Sequence, residues 1–166
     1  MIILGIDPGT ASTGWGVVLR DGNRLSSLGF GCIVTSAQQD TADRLRYIHD
    51  QTRALVRRFT PDAMAIEDLF VNANAKTALA VGHARGVIIL AAAAHGLCPR
   101  DYTPLAIKQA VTGYGRASKI QVQEMTKVLL GLDHIPRPDH AADALAVAIT
   151  HAHNEHGLRI AQSVRP

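Results

Sequence analysis

Three acidic positions, far apart in the chain, have the residue types and local settings of a site for hard divalent cations. Asp7 ends the apolar run Met1-Ile2-Ile3-Leu4-Gly5-Ile6 and enters the turn Pro8-Gly9-Thr10. Glu67 ends a second run, Ala63-Met64-Ala65-Ile66, and Asp139-His140-Ala141-Ala142-Asp143 opens an Ala-rich helix near the C-terminus. A lone acid at the end of a buried strand is costly unless a cation or hydrogen bonds compensate it. At helical spacing Asp139 shares a face with Asp143, and so does His140. Two-metal phosphodiester hydrolysis uses such a set: one carboxylate bridges ions roughly 3.5–4 Å apart and other groups hold each ion from the side. Carboxylates suit Mg²⁺, and a nitrogen donor such as His140 admits Mn²⁺ at least as well. Pro138 just before Asp139 also fits a helix start, where Asp139 is a cap or dipole partner instead of a ligand.

Basic and aromatic groups accompany the acids. Lys108 lies on a short helix, and Lys119 lies in the first turn of another, behind the capping box Ser118-x-x-Gln121. The intervening turn, Thr112-Gly113-Tyr114-Gly115-Arg116-Ala117, leads into a helix N-terminus whose N–H groups can meet a phosphate. Read alone, Lys108, Arg116 and Lys119 are equally well exposed surface charges. Phe70, three residues beyond Glu67, is either a core anchor or a platform for an unpaired base. Trp15 and Phe30 read as packing residues.

The elements that must position these groups follow from periodicity. Residues 1–7, 13–20 and 24–35 read as strands, the last two joined by the hairpin signal Asp21-Gly22-Asn23. Residues 42–59 read as a helix, with Leu45, Ile48, Leu55, Val56 and Phe59 on one face and five arginines on the other, a solvated face in preference to a DNA contact. A short strand at 63–66 precedes a helix from Asn74 to His95 rich in Ala and Gly, whose small residues let another backbone approach closely. That helix is expected to be central, packed on the sheet, on a second subunit, or on both. A strand near 99–102 and helices over 104–111, from 119, and from 139 to about His153 complete the domain. A meander of strands followed by alternating helices and strands indicates an α/β domain with a mixed sheet. Residues 1–156 form a single domain in this reading, with 157–166 a flexible C-terminal tail.

Bulk composition agrees. A chain of 166 residues with 47% hydrophobic and 19% charged residues can bury a real core. A net charge of +3 permits a polyanionic partner without requiring one. Cys32 and Cys98 lack metal-ligand spacing and read as reduced core thiols. There is no signal-type h-region and no stretch near the length of a membrane span, so a cytoplasmic protein is expected.

The stretches GIDPGTASTGWGVV, AIEDLF, NANAKTAL, GHARGV, IKQAVTGYGRASKIQVQEM and RPDHAADALAVAITHAH resemble, in order, successive blocks of the RuvC family of bacterial Holliday junction resolvases. The resemblance covers residues 1 to about 153. It implies a ribonuclease-H-like fold with a mixed five-stranded sheet flanked by helices, a homodimer, and metal-dependent nicking of two symmetric strands at a four-way DNA junction in recombination and repair. It also implies partnership with the RuvAB branch-migration motor. By the match, Asp7, Glu67 and Asp143 correspond to the family's metal-binding acids. The remaining metal position, often Asp in an Asp-Ala-Ala-Asp motif, is occupied here by His140, with Asp139 displaced one residue earlier and read as a cap or supporting group. The catalytic set implied is Asp7, Glu67, His140, Asp143 and Lys119, with Mg²⁺ or Mn²⁺, two ions per site, and Mn²⁺ favoured by His140. Phe70, Lys108, Arg116 and Lys119 are the implied DNA contacts.

Two other classes share features of this sequence. Actin-like sugar kinases and chaperone ATPases also carry an Asp-x-Gly-Thr turn on a first strand, but they need a second lobe for which this chain has no room. A junction-binding module without cleavage is compatible with His140 and disfavoured by Asp7, Glu67 and Asp143.

Overall fold

Side-chain alternation along two neighbouring strands decides where the acids go. In the computed structural model, which describes residues 1–68 and 75–163, with side chains for 1–68 and 77–155, β1 (Ile2–Asp7), β2 (Ser12–Asp21) and β3 (Arg24–Val34) form an antiparallel meander. β4 (Ala63–Glu67) pairs parallel with β1, and β5 (Arg100–Tyr102) pairs parallel with β4, giving the order β3-β2-β1-β4-β5. The β1–β4 register runs to Ile6 opposite Ile66, so Asp7 and Glu67 emerge side by side at one rim.

Helices cover both faces. Leu4, Ile6, Val17, Met64 and Ile66 pack against α1 (Thr41–Phe59) and α2 (Ala75–Ala93) in one cluster. Ile3, Val18 and Ala65 face the other way, toward α3 (Pro104–Thr112), α4 (Lys119–Leu130) and α5 (Asp139–Ser163). Because strand side chains alternate, Asp7 follows Ile3 and Gly5 onto the α5 face, and Glu67 follows Ala65 onto that face as well.

α5 packs backbone-close on β1 and β2. Its residues Ala141, Ala142, Ala144, Leu145, Ala146, Val147, Ala148 and Ile149 are almost wholly buried. A Cβ at Gly14 would lie 1.9 Å from the His140 carbonyl oxygen, and one at Gly5 would lie 2.1 Å from that of Ala144. These two glycines therefore let the helix backbone sit directly on the strands, with its first turn over Asp7. The expectation that the small-residue helix 74–95 would be the central one is corrected here. α2 buries Ala84, Ile88, Ala91 and Ala92, packs chiefly on α1, and leaves Leu79, His83, Gly86 and Leu90 exposed.

The hairpin turn at Gly22-Asn23 and the Ser118–Gln121 capping box form as expected. α5 does not end near His153 but continues to Ser163, so the segment expected as a tail is helical that far. Gly157 costs about 1 kcal/mol in a helix, too little to stop one already propagating. Trp15 and Phe59 pack with ring centroids 6.0 Å apart, and Phe30 packs against the α5 cluster, as expected of core aromatics. Cys32 and Cys98 are free thiols, but neither belongs to the core as expected: Cys32 is half-buried and Cys98 is exposed. Among the described residues no helix is long and apolar enough to cross a membrane.

If α5 is seated by backbone contact, Gly14→Ala should displace its first turn. We expect a loss of about 2–3 kcal/mol, seen as a lower melting temperature, together with impaired metal binding. Wild-type stability in this variant would show that the contact is not a constraint.

Candidate metal-dependent active site

Three elements deliver the acids and the imidazole. β1 ends in Asp7, β4 in Glu67, and the first turn of α5 carries His140 and Asp143 across the same rim. Asp7 Oδ2 lies 2.6 Å from His140 Nδ1. One donor atom each from Asp7, His140 and Asp143 lies within 4.8 Å of the others. Glu67 and Asp143 line an adjoining cavity of about 160 Å³ with Lys108, Lys119, Ile107 and Val122.

Lys119 bridges two acids of α5. Its Nζ donates to Asp143 Oδ2 at 3.0 Å and lies 3.5 Å from Asp139 Oδ2. Desolvation pulls its pKa down, but Asp143 and Asp139 together outweigh that and hold the ammonium above its ordinary value. Asp139 does not cap the helix. Pro138 O accepts from Ala141 N–H at 2.9 Å, while Asp139 is gripped by Arg137 Nη1 at 2.7 Å and by Lys119. Lys119 above all holds the Asp139 carboxyl below the usual range.

The remaining acids are under strain of charge. Burial raises the Asp7 carboxyl; contact with His140 opposes this and the Asp143 charge adds to it. Glu67 is pushed up to about 8, first by burial and then by the charges of Asp7 and Asp143. Oxygen donors joined by one imidazole, with more buried negative charge than Lys119 neutralises, make a set that fits hard divalent cations. Asp7, Glu67, His140, Asp143, Lys108 and Lys119 thus come together. Arg116 is exposed in the turn before α4, outside the cavity lining. Phe70 lies outside the described residues.

Two contacts had no legible signal. Arg137 reaches Asp139 over a proline, and Arg85 of α2, with its side chain only 13% exposed, spans Glu67 O at 3.1 Å and Asp101 Oδ1 at 2.5 Å. The Arg85 contacts depend on how α2 docks, which residue spacing does not report, whereas the Arg137 contact is local.

A profile of the crossover junction endodeoxyribonuclease RuvC family matches residues 3–151. A protein of that name from Ruminiclostridium cellulolyticum is 54% identical over 158 residues, covering 95% of each chain. One from Moorella thermoacetica is 56% identical over 152 residues, covering 92% of this chain and 91% of its own. Among solved structures, Thermus thermophilus RuvC superposes with a TM-score of 0.89 at 38% identity, covering 95% of this chain and 96% of that one. The same protein in complex with a Holliday junction substrate gives 0.90 at 37% identity, with the same coverage. The sheet, its flanking helices and the acidic rim define a ribonuclease-H-like, metal-dependent endodeoxyribonuclease. The chain belongs to the crossover junction endodeoxyribonuclease RuvC family.

The Glu67 environment has a measurable consequence without DNA. A carboxyl raised from 4.5 to about 8 binds more protons folded than unfolded, so it reduces stability as pH rises through that window. In chelator, Glu67→Gln should melt higher than wild type at pH 8, by about 2–4 °C for each kcal/mol of repulsion relieved. The two should converge toward pH 5. Parallel melting curves across that range would refute the repulsion.

Proposed function

We propose that the protein is a Holliday junction resolvase, nicking two symmetric strands of a four-way junction by two-metal-ion hydrolysis. The observation that carries this reading is the convergence of Asp7, His140 and Asp143 within 4.8 Å, with Glu67 beside them. Bound Mg²⁺ or Mn²⁺ would supply Lewis acidity, acidifying the attacking water and neutralising charge on the leaving oxygen. Asp7, Glu67, His140 and Asp143 would hold the ions, with Asp7 central through its contact to His140. His140 offers an imidazole nitrogen, so Mn²⁺ should serve at least as well as Mg²⁺.

The chain's own cations complete the site. Lys119 and Lys108 present ammonium groups to the cavity shared with Glu67 and Asp143, where they would bind phosphates of the cut strand. The capped N-terminus of α4 adds favourable polarity at the same place. Arg116, exposed on that approach, and Phe70 are proposed as further DNA contacts.

A junction with approximate two-fold symmetry calls for two equivalent sites, hence a C₂ homodimer. α2 supports this: Leu79, His83, Gly86 and Leu90 form an exposed stripe at spacings of four, three and four, with both leucines more than 60% exposed. We place the activity in the cytoplasm, on DNA delivered by the RuvAB branch-migration complex.

Purified protein with a labelled mobile junction should give paired nicks in Mg²⁺ and at least as many in Mn²⁺. Binding without cleavage in either metal would mark a non-cutting junction-binding module. Asp7→Asn should lower cleavage by more than the roughly 10–100-fold that loss of a ligand's supporting partner costs. Junction binding should survive in that variant, because the phosphate contacts remain. Lys119→Ala should slow cleavage; an unchanged rate would make Lys119 a surface charge only.

A further inference from the structure

The end of β4 that carries Glu67 is held by a residue outside the site, Arg85 of α2. The β1–β4 pairing stops at Ile6 opposite Ile66, so Glu67 has no ladder partner on the β1 side. On the other side Asp68 N–H donates to Tyr102 O at 2.8 Å. The Glu67 carbonyl is taken by Arg85 Nη1 at 3.1 Å, and Arg85 Nη2 is fixed by Asp101 Oδ1 at 2.5 Å. Asp101 stands on β5 opposite Ile66, one position before Tyr102, so the guanidinium ties α2 to the ends of two strands.

We propose that Arg85 is a positioning residue that clamps the Glu67 backbone so that its carboxylate stays aimed into the metal site. This rests on the nuclease reading above. A carboxylate crowded by Asp7 and Asp143 relaxes away from them unless its main chain is fixed. Lys119 neutralises the acids directly and would compete with incoming cations. Arg85 instead grips a carbonyl, fixing position while leaving the Glu67 carboxyl itself free to bind a cation. The two-pronged, planar guanidinium is suited to this, since it reaches both acceptors from one rigid fork, and a lysine at the same place offers a single point of attachment.

The test compares full-length wild type with Arg85→Ala, Arg85→Lys and Asp101→Ala. Mn²⁺ binding is followed by calorimetry on DNA-free protein, and single-turnover junction cleavage is titrated with Mn²⁺. Junction affinity is measured in chelator, and hydrogen exchange is read at the Asp68 amide. For Arg85→Ala we expect weaker Mn²⁺ binding and a higher half-maximal Mn²⁺ concentration for cleavage, each by roughly 10-fold or more. Asp68 exchange should be faster and junction affinity unchanged. Arg85→Lys and Asp101→Ala should move the same quantities in the same direction, and they carry the test if Arg85→Ala fails to fold. Wild-type metal binding in folded Arg85→Ala, or full restoration by lysine, would overturn the clamp. If wild type binds Mn²⁺ but does not cut junctions, the resolvase reading fails, while the calorimetry and exchange still decide the role of Arg85.

Discussion

The structure is organised around repulsion among carboxylates gathered on one face of a sheet. Asp7 and Glu67 reach that face through strand alternation, and Asp143 is carried over them by a helix seated on Gly5 and Gly14. Burial makes the crowding expensive, most visibly at Glu67, whose carboxyl is pushed up to about 8. A fold selected only for stability would not collect these groups under an apolar helix. Divalent cations remove the penalty, so the same arrangement that costs stability in their absence supplies metal affinity.

Three basic residues manage this charge in different ways. Lys119 pairs with Asp143 and, more loosely, Asp139, so it stands at the edge of the acidic cluster without filling it. Arg137 secures Asp139, which keeps that neighbouring acid occupied beside His140. Arg85 approaches from the other side of the sheet and touches a carbonyl, not a carboxylate, at Glu67. The division leaves the His140 imidazole and the inward carboxylate oxygens as the groups that face each other across the site.

Much of this was legible in the residues because it is set by short-range rules. An apolar run ending in Asp7 and a Pro-Gly turn requires a strand end at a rim; Ser118 with Gln121 requires a helix start. His140 and Asp143 share a helical face whatever the helix packs on. What could not be read depends on docking. The Ala- and Gly-rich pattern of α2 suggested the closest packing, yet the glycines that matter lie in β1 and β2, and the helix they receive is α5. Asp139 had the position of a cap but lies inside α5 as its first residue, with its carboxylate held by Arg137 and Lys119. The end of α5 was misplaced because no residue before Pro166 stops a helix outright, and the loss of apolar periodicity reports burial, not backbone conformation. Arg85 lay in a motif that marked the family without disclosing its contacts.

The central claim is that distant acids share cations, and anomalous diffraction from crystals soaked in Mn²⁺ addresses it directly. The expected result is Mn²⁺ density in contact with Asp7, His140 and Asp143, with Glu67 completing the site from the β4 side. Mn²⁺ bound elsewhere while these four side chains remain without an ion would contradict the account.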